Sequence, residues 1–468
     1  MKKSICLYFH VHQPTRLRLF RFFDIGKTSH YYDDFTNRTI LKRVAQKCYL
    51  PANALLLDLI QRNGGNFKVS FSITGSLIEQ LDRYCPDVIE SFRKLADTGC
   101  VEFLSETYYH SLASLAQPED FRHQVSKHRK LIEKYFGVTP VTFRNTELIY
   151  SDSIGEMVSE MGYKTMITEG AKHILGWKSP NFLYTCANAS DLKLLLKNSN
   201  LSDDIAFRFS DRGWSEWPLT ADKYLFWLKD AAKKDDIINL FMDYETFGEH
   251  QKASCGIFDF LGSLPDVVLR DGTFEFVTPA QAAAKHKAVA PLDVPDAISW
   301  ADEERDVTAW LGNELQKDAF NKLYSLSEKL ALINDDALWS DYGHLQESDH
   351  FYYMCTKFFS DGAVHKYFNP YDTPYEAFIN YMNVLSDFMI RVDDALASGS
   401  LVRVNESPVA PVRLVKPVKK AAAKKAPAKK AVAKKAAPAE KKTPAKKAVA
   451  KKAAPAKETK KSAKVKKK

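Results

Sequence analysis

Residues 237–243 read Ile237-Ile-Asn-Leu-Phe-Met-Asp243, a β-prone run of six that stops on a carboxylate. A run this short, apolar and bounded by polar residues predicts a buried strand over Ile237–Met242. Six other stretches share the character: Ile5–Phe9, Phe67–Ile73, Val101–Leu104, Val141–Arg144, Lys164–Thr168 and Leu192–Leu196. Helical patterns lie between several of them. Pro51–Gln61, Pro118–Tyr135 with its Pro-Glu-Asp opening, and Ser151–Met161 with Ser151 or Asp152 as cap are examples. Strands alternating with helices predict an α/β fold with a parallel barrel or a doubly wound sheet.

The pattern changes beyond about residue 300. A long helical pattern runs from Thr308 to Ile333, through Leu311, Leu315, Leu323, Leu326 and Leu330, and another from Thr373 to Leu396. From Lys416 the chain collapses to Lys, Ala, Pro and Val. A thirteen-residue unit at 427–439 recurs at 444–456, and prolines stand at 417, 427, 438, 444 and 455. Without aromatics, and with proline interrupting every helix, such a segment cannot bury enough surface to offset its chain entropy, so it is expected to be disordered. The expected organisation is a catalytic barrel over 1–300, a helical region over 301–405 packing on it and completing the site, and a tail over 406–468.

Charge divides the same way. Residues 415–468 carry 22 Lys and 2 Glu, so they alone exceed the net +9 of the whole chain and leave −11 on the remainder. The tail is therefore a candidate for non-specific polyanion or nucleic-acid binding, with affinity falling as salt rises. It resembles the C-terminal tails of linker histones. Base stacking on it is excluded, because no aromatic ring interleaves its lysines.

The start, Met-Lys-Lys-Ser-Ile-Cys-Leu-Tyr-Phe-His, has too short an apolar run for a secretory leader, and no run of about 18 apolar residues crosses a membrane. Seven scattered cysteines, odd in number and never spaced Cys-x-x-Cys, fit reduced packing residues. A cytoplasmic location is expected.

The chemistry lies at strand ends. His10 and His12 follow the first run, Glu102 sits beside the third, Glu147 follows the fourth and Asp243 the last. In an α/β barrel the C-terminal ends of all strands face one mouth, so these side chains would converge there. Two carboxylates without a serine or cysteine nucleophile signature point to glycosidic chemistry. The acid of such a pair needs a raised pKa, and Glu245, two residues beyond Asp243, is the candidate neighbour to raise it. Arg144 and Asn145 flank Glu147 and are placed to orient it. Trp177 is a candidate platform for a sugar ring.

Five short motifs, spanning residue 10 to about 354, resemble those of glycoside hydrolase family 57, the α-amylase and 4-α-glucanotransferase family. They are His10-Val-His-Gln-Pro14, Gly99-Cys-Val-Glu-Phe-Leu104, Phe143-Arg-Asn-Thr-Glu-Leu148, Phe241-Met-Asp-Tyr-Glu-Thr-Phe-Gly248 and Gln346-Glu-Ser-Asp-His-Phe-Tyr-Tyr-Met354. The resemblance implies an incomplete (β/α)7 barrel, retention of configuration, no required metal or cofactor, and an α-glucan substrate. It implies Glu147 as nucleophile, Asp243 as general acid/base, and Glu102 and Asp349 as substrate contacts. Cys100 stands where the second motif commonly has glutamine. The forms of the third and fourth motifs look most like α-amylase members, with a 4-α-glucanotransferase or branching-type transglycosylase as the alternative.

Two rival readings follow from the residues themselves. His10-x-His12 at a strand end is also how metal-dependent polysaccharide deacetylases begin, with His110 and His250 as further candidate ligands. The basic tail fits a nucleic-acid-associated protein whose barrel is inactive.

Overall fold

The computed structural model describes residues 2–357 and 369–398, so the expected tail at 406–468 lies outside the described residues. All seven expected strands form: β1 Lys3–Val11, β2 Val69–Ile73, β3 Val101–Phe103, β4 Thr142–Arg144, β5 Thr165–Glu169, β7 Lys193–Lys197 and β8 Ile237–Asp243. A strand not foreseen, β6 Leu183–Cys186, runs antiparallel to β7. Another, Phe274–Phe276, pairs with the beginning of β1.

Strand β1 is the spine. One edge pairs with β8 along its length, from Ser4↔Ile237 to His10↔Asp243. Further pairs are β1–β2, β2–β3, β4–β5 and β5–β7, all parallel. The sheets meet at two narrow seams. At one, Ser105 bridges Phe143 between the ends of β3 and β4; at the other, the Asn198 N–H donates to the Asn239 carbonyl at 2.9 Å beside β7 and β8. The seven parallel strands thus follow one another round a ring.

Alternation along β1 separates two cores, because successive side chains point to opposite faces. Ile5, Leu7, Phe9 and Val11 pack outward with Leu56, Leu59, Phe92 and Leu261 of the surrounding helices. Cys6 and Tyr8 pack inward with Leu104, Leu148, Ile167, Leu195 and Phe241. That inner apolar layer floors the mouth at which β1 and β8 end on polar residues.

The helices follow from their caps. Helix Asp152–Glu160 starts at Ser151, whose hydroxyl accepts from the Ile154 N–H, so serine and not aspartate is the cap. Helix Pro374–Ala397 starts at Thr373 in the same way. The long pattern at 308–333 is not one helix: Thr308–Leu311, Glu314–Tyr324 and Ser327–Leu330 are separate. Gly312 ends the first piece, and Asn313 opens the second with a capping box to Gln316, whose side chain returns to the Asn313 N–H. Trp310, Leu323, Tyr342 and Phe388 from this region share a buried cluster with Phe143, Met166 and Leu194 of the ring and Ile154 of helix Asp152–Glu160. No helix among the described residues is long and apolar enough to cross a membrane.

Candidate active site

Glu147 stands on a strained turn directly after β4. It has φ 56° and ψ 25°, and Leu148 follows at φ 53°, left-handed geometry that costs a side-chain-bearing residue about 1 kcal/mol or more each. Asn145 holds the turn closed. Its Nδ2 donates to the Ile149 carbonyl at 3.0 Å and to Ser114 Oγ at 2.9 Å, and its own carbonyl accepts the Leu148 N–H. The Glu147 carboxylate, 5% exposed, is gripped on both oxygens. Oε1 accepts from His110 Nε2 at 3.0 Å and Ser348 Oγ at 3.1 Å, while Oε2 accepts from the Trp300 indole N–H at 2.7 Å.

Asp243 lies beside His10 because β1 and β8 pair them in register. Its Oδ1 is 3.5 Å from His10 Nδ1, and 29% of its side chain remains exposed to the mouth. Burial alone would raise its pKa. The hydrogen bond from His10, and the charge of His10 and His250 when protonated, outweigh that and hold Asp243 below the ordinary value, with Glu147 pushing the other way. The group that is raised is Glu245. Burial, then the charge of Asp243, push its carboxyl up to about 7, against a hydrogen bond from the Tyr49 hydroxyl. The expectation that Asp243 would be the raised member is therefore reversed in the free protein, because the histidine touches Asp243 and not Glu245.

Three imidazoles gather above the floor. The His110 ring lies 4.8 Å from His10 and 4.2 Å from His12, centroid to centroid. His12 Nε2 meets Asp349 Oδ2 at 3.0 Å and His12 Nδ1 meets Thr74 Oγ1 at 2.8 Å. Burial raises Asp349, but the charge and hydrogen bond of His12 win and keep it well below the carboxylate range. Ser348 and Asp349 reach the site because the Ser348 N–H bonds the His110 carbonyl and Ser111 bridges Glu347.

Beneath the histidines sits a fully buried ion pair, Arg144 with Glu106, Nη1 to Oε2 at 3.3 Å. Glu106 is held well below the carboxylate range: burial opposes this, and His10, His110 and Arg144 overcome it. Among the described residues two groups have the donor types of a metal site, His10 with Glu106 and His110, and His12 with His110 and Asp349. In the first, Arg144 Nη1 lies 3.2, 3.3 and 3.5 Å from the three ligand atoms. A permanent cation already fills the position a metal would take.

The structure thus brings together Glu147, Asp243, His10, His12 and Asp349, with Glu245 alongside. Glu102 is held elsewhere, and Trp177 stands exposed in the segment that follows β5. Glu102 faces inward four residues before Glu106, on the far side of the Tyr8, Leu104 and Phe241 layer. Its oxygens are engaged by the Thr142 hydroxyl at 2.5 Å and the Ala280 N–H at 3.0 Å, the first turn of helix Pro279–Lys285. Trp177 is 93% exposed, and the indole that touches the Glu147 turn is Trp300. Residues not singled out from sequence as part of the site are Glu106, Ser348 and Trp300. Glu106 shares the inward parity of Glu102, and that was the available signal.

The Glycosyl hydrolase family 57 profile matches residues 6–295 of this chain. The Methanocaldococcus jannaschii protein named "Putative alpha-amylase" is 42% identical over 417 residues, covering 86% of this chain and 87% of that one. The chain belongs to glycosyl hydrolase family 57. It is a glycoside hydrolase, and the resemblance read from the five motifs is borne out. Solved structures show the same family 57 fold at low identity. A branching enzyme from Pyrococcus horikoshii superposes with TM-score 0.61 at 14% identity, covering 89% of this chain and 99% of that one. A 4-alpha-glucanotransferase from Thermococcus litoralis gives 0.59 at 13%, covering 75% and 56%.

Proposed function

We propose that the chain is an α-amylase-like hydrolase of α-1,4-glucans, working by double displacement with Glu147 as nucleophile and Asp243 as general acid/base. The observation that carries this is the strained turn that turns the Glu147 carboxylate into the mouth, held by three donors, with Asp243 fixed there by the His10 register. In the first step a Glu147 oxygen bonds to the anomeric carbon as the glycosidic bond breaks, and Asp243, which takes up a proton from solvent as substrate binds, gives it to the leaving oxygen. His10 then stabilises the new Asp243 carboxylate. In the second step that carboxylate takes a proton from water as the water oxygen displaces Glu147. His12 and Asp349 are proposed to bind sugar hydroxyls.

Trp300, Ser348 and Asp349 border or belong to the region after residue 300, which supports the division into a barrel over 1–300 and a helical region over 301–405 that completes the site. Seven free cysteines fit a reducing, cytoplasmic compartment. The tail is proposed as a polyanion-binding appendage.

Incubation with maltoheptaose, followed by chromatography and by proton NMR of the first products, tests the reading. Shorter oligosaccharides released as α-anomers are expected, with Glu147→Gln slower by several orders of magnitude. First products in the β-configuration, or an undiminished Glu147→Gln, would sink it. Chains longer than seven would reassign the enzyme as a transglycosylase.

A further inference from the structure

Arg144 lies under both histidines that touch the carboxylate pair. Its Nη1 is 3.2 Å from His10 Nε2 and 3.5 Å from His110 Nδ1. A guanidinium is a donor only and does not give up its charge. A ring nitrogen that faces it presents a lone pair, so the proton of the neutral ring sits on the other nitrogen. For His10 that is Nδ1, which faces Asp243 Oδ1 at 3.5 Å. For His110 it is Nε2, which faces Glu147 Oε1 at 3.0 Å.

We propose that Arg144 is a positioning residue that fixes the neutral tautomers of His10 and His110, aiming one N–H at each catalytic carboxylate from a single buried cation. The inference rests on the reading of Glu147 and Asp243 as the catalytic pair. Two features support it independently. The stacking of His110 on His10 at 4.8 Å suits neutral rings, since face-to-face imidazolium ions repel. Glu106, also fully buried, sits on the same Nη1 at 3.3 Å and balances the charge, so the cation stays in a dry site without drawing a proton from either ring. Alone, Glu106 would do the reverse: an anion 3.4 Å from His10 Nε2 and 3.7 Å from His110 Nδ1 draws protons onto those nitrogens. With Arg144 present, the protons are directed toward the substrate side.

The full chain labelled with nitrogen-15 histidine, observed by long-range nitrogen–proton correlation at about pH 7.5, above the ordinary imidazole pKa of about 6.5, reads the tautomers directly. Peaks are assigned with His10→Gln and His110→Gln. The expected wild-type result is a neutral Nδ1–H ring for His10 and a neutral Nε2–H ring for His110. In Arg144→Gln/Glu106→Gln, which removes both charges together, the fixed tautomers are lost and kcat falls by about tenfold or more while KM holds within a few fold. Opposite tautomers or two cationic rings in the wild type overturn the proposal, and so do unchanged tautomers in a folded double variant. The wild-type spectrum decides even where the double variant does not fold. A fully active Glu147→Gln would end the catalytic reading without moving these spectra.

Discussion

Trp300 donates twice to Glu147: its indole N–H meets Oε2 at 2.7 Å, and its backbone N–H meets the Glu147 carbonyl at 3.2 Å. The same residue therefore fixes the position of the strained turn and the direction of its carboxylate. The backbone contact extends a bridge between Tyr150 and Ile298, which draws the segment before the C-terminal helices against the end of β4. Arg144 and Lys197 lie over the indole at 5.3 and 5.5 Å, and two cations beside the ring make its N–H a stronger donor.

Trp300→Phe keeps a ring in place and removes only the donor. A hydrogen bond to an ionised group is worth about 1.5–3 kcal/mol, so kcat/KM is expected to fall by roughly 10- to 100-fold. The thermal melt should stay close to the wild-type curve, because the backbone bridge is retained. Steady-state kinetics on maltoheptaose beside a circular-dichroism melt decide this; unchanged kcat/KM would remove Trp300 from the mechanism.

His10→Ala should move the pH profile. Burial pushes the Asp243 pKa up and His10 pulls it down, so loss of His10 leaves burial less opposed and the pKa rises. If Asp243 is the group that must be protonated in free enzyme, the basic limb of kcat/KM moves to higher pH, on top of a general loss of rate. A basic limb that stays put or moves down assigns it to another group.

His344 gives a stability test away from the chemistry. Burial lowers its pKa, but hydrogen bonds to Glu347 and Glu79, at 3.0 and 3.1 Å, raise it to about 9. A group raised on folding contributes stability that is complete below its unfolded pKa of about 6.5 and is lost as pH rises through 9. Glu347 and Glu79 are lowered and lose their contributions only at acid pH, so they do not confuse that window. Melting temperature should fall between about pH 6.5 and 9, by an amount worth at most about 3 kcal/mol, and His344→Gln should flatten that fall. Parallel pH curves for the two proteins would show that His344 is not the titrating group.

The seven strands were legible as short β-prone runs between helical patterns, and Asp243 and Glu147 were legible because one closes such a run and the other stands just beyond the end of one. The choice between Glu102 and Glu106 was not. Both face inward by strand parity, and only the height of the Tyr8, Leu104 and Phe241 layer decides which reaches the mouth. Trp300 lies in irregular backbone and Ser348 opens the short helix Ser348–Tyr352, and the placement of both depends on non-local bonds to Glu147 and His110 that no local pattern records. The three helices within 308–333 share one apolar stripe, which hid the break at Gly312 and Asn313.

Removing metal separates the two chemistries that His10 and His12 allowed. Because Arg144 fills the centre of the His10, Glu106 and His110 group, prolonged dialysis against a chelator, followed by assay in chelator, should leave hydrolysis of maltoheptaose unchanged. Loss of activity that added zinc restores would point instead to His12, His110 and Asp349 as a metal site on which the hydrolysis depends.

Deleting residues 416–468 tests the tail against the catalytic reading. The deletion removes all 22 Lys and both Glu of the basic block, and none of the site residues lies within it. Turnover of maltoheptaose should be unaltered within about twofold, as neutral oligosaccharides gain nothing from clustered lysines. Binding to duplex DNA or polyphosphate should disappear, and for the full chain it should weaken linearly in log affinity against log salt, with the steep slope that many phosphate contacts produce. Each result bears on a different claim. Polyanion binding that survives the deletion would place it on the catalytic body, against a net charge there of −11. Hydrolysis lost with the tail would make those lysines part of substrate capture, which a neutral glucan gives no electrostatic reason to expect.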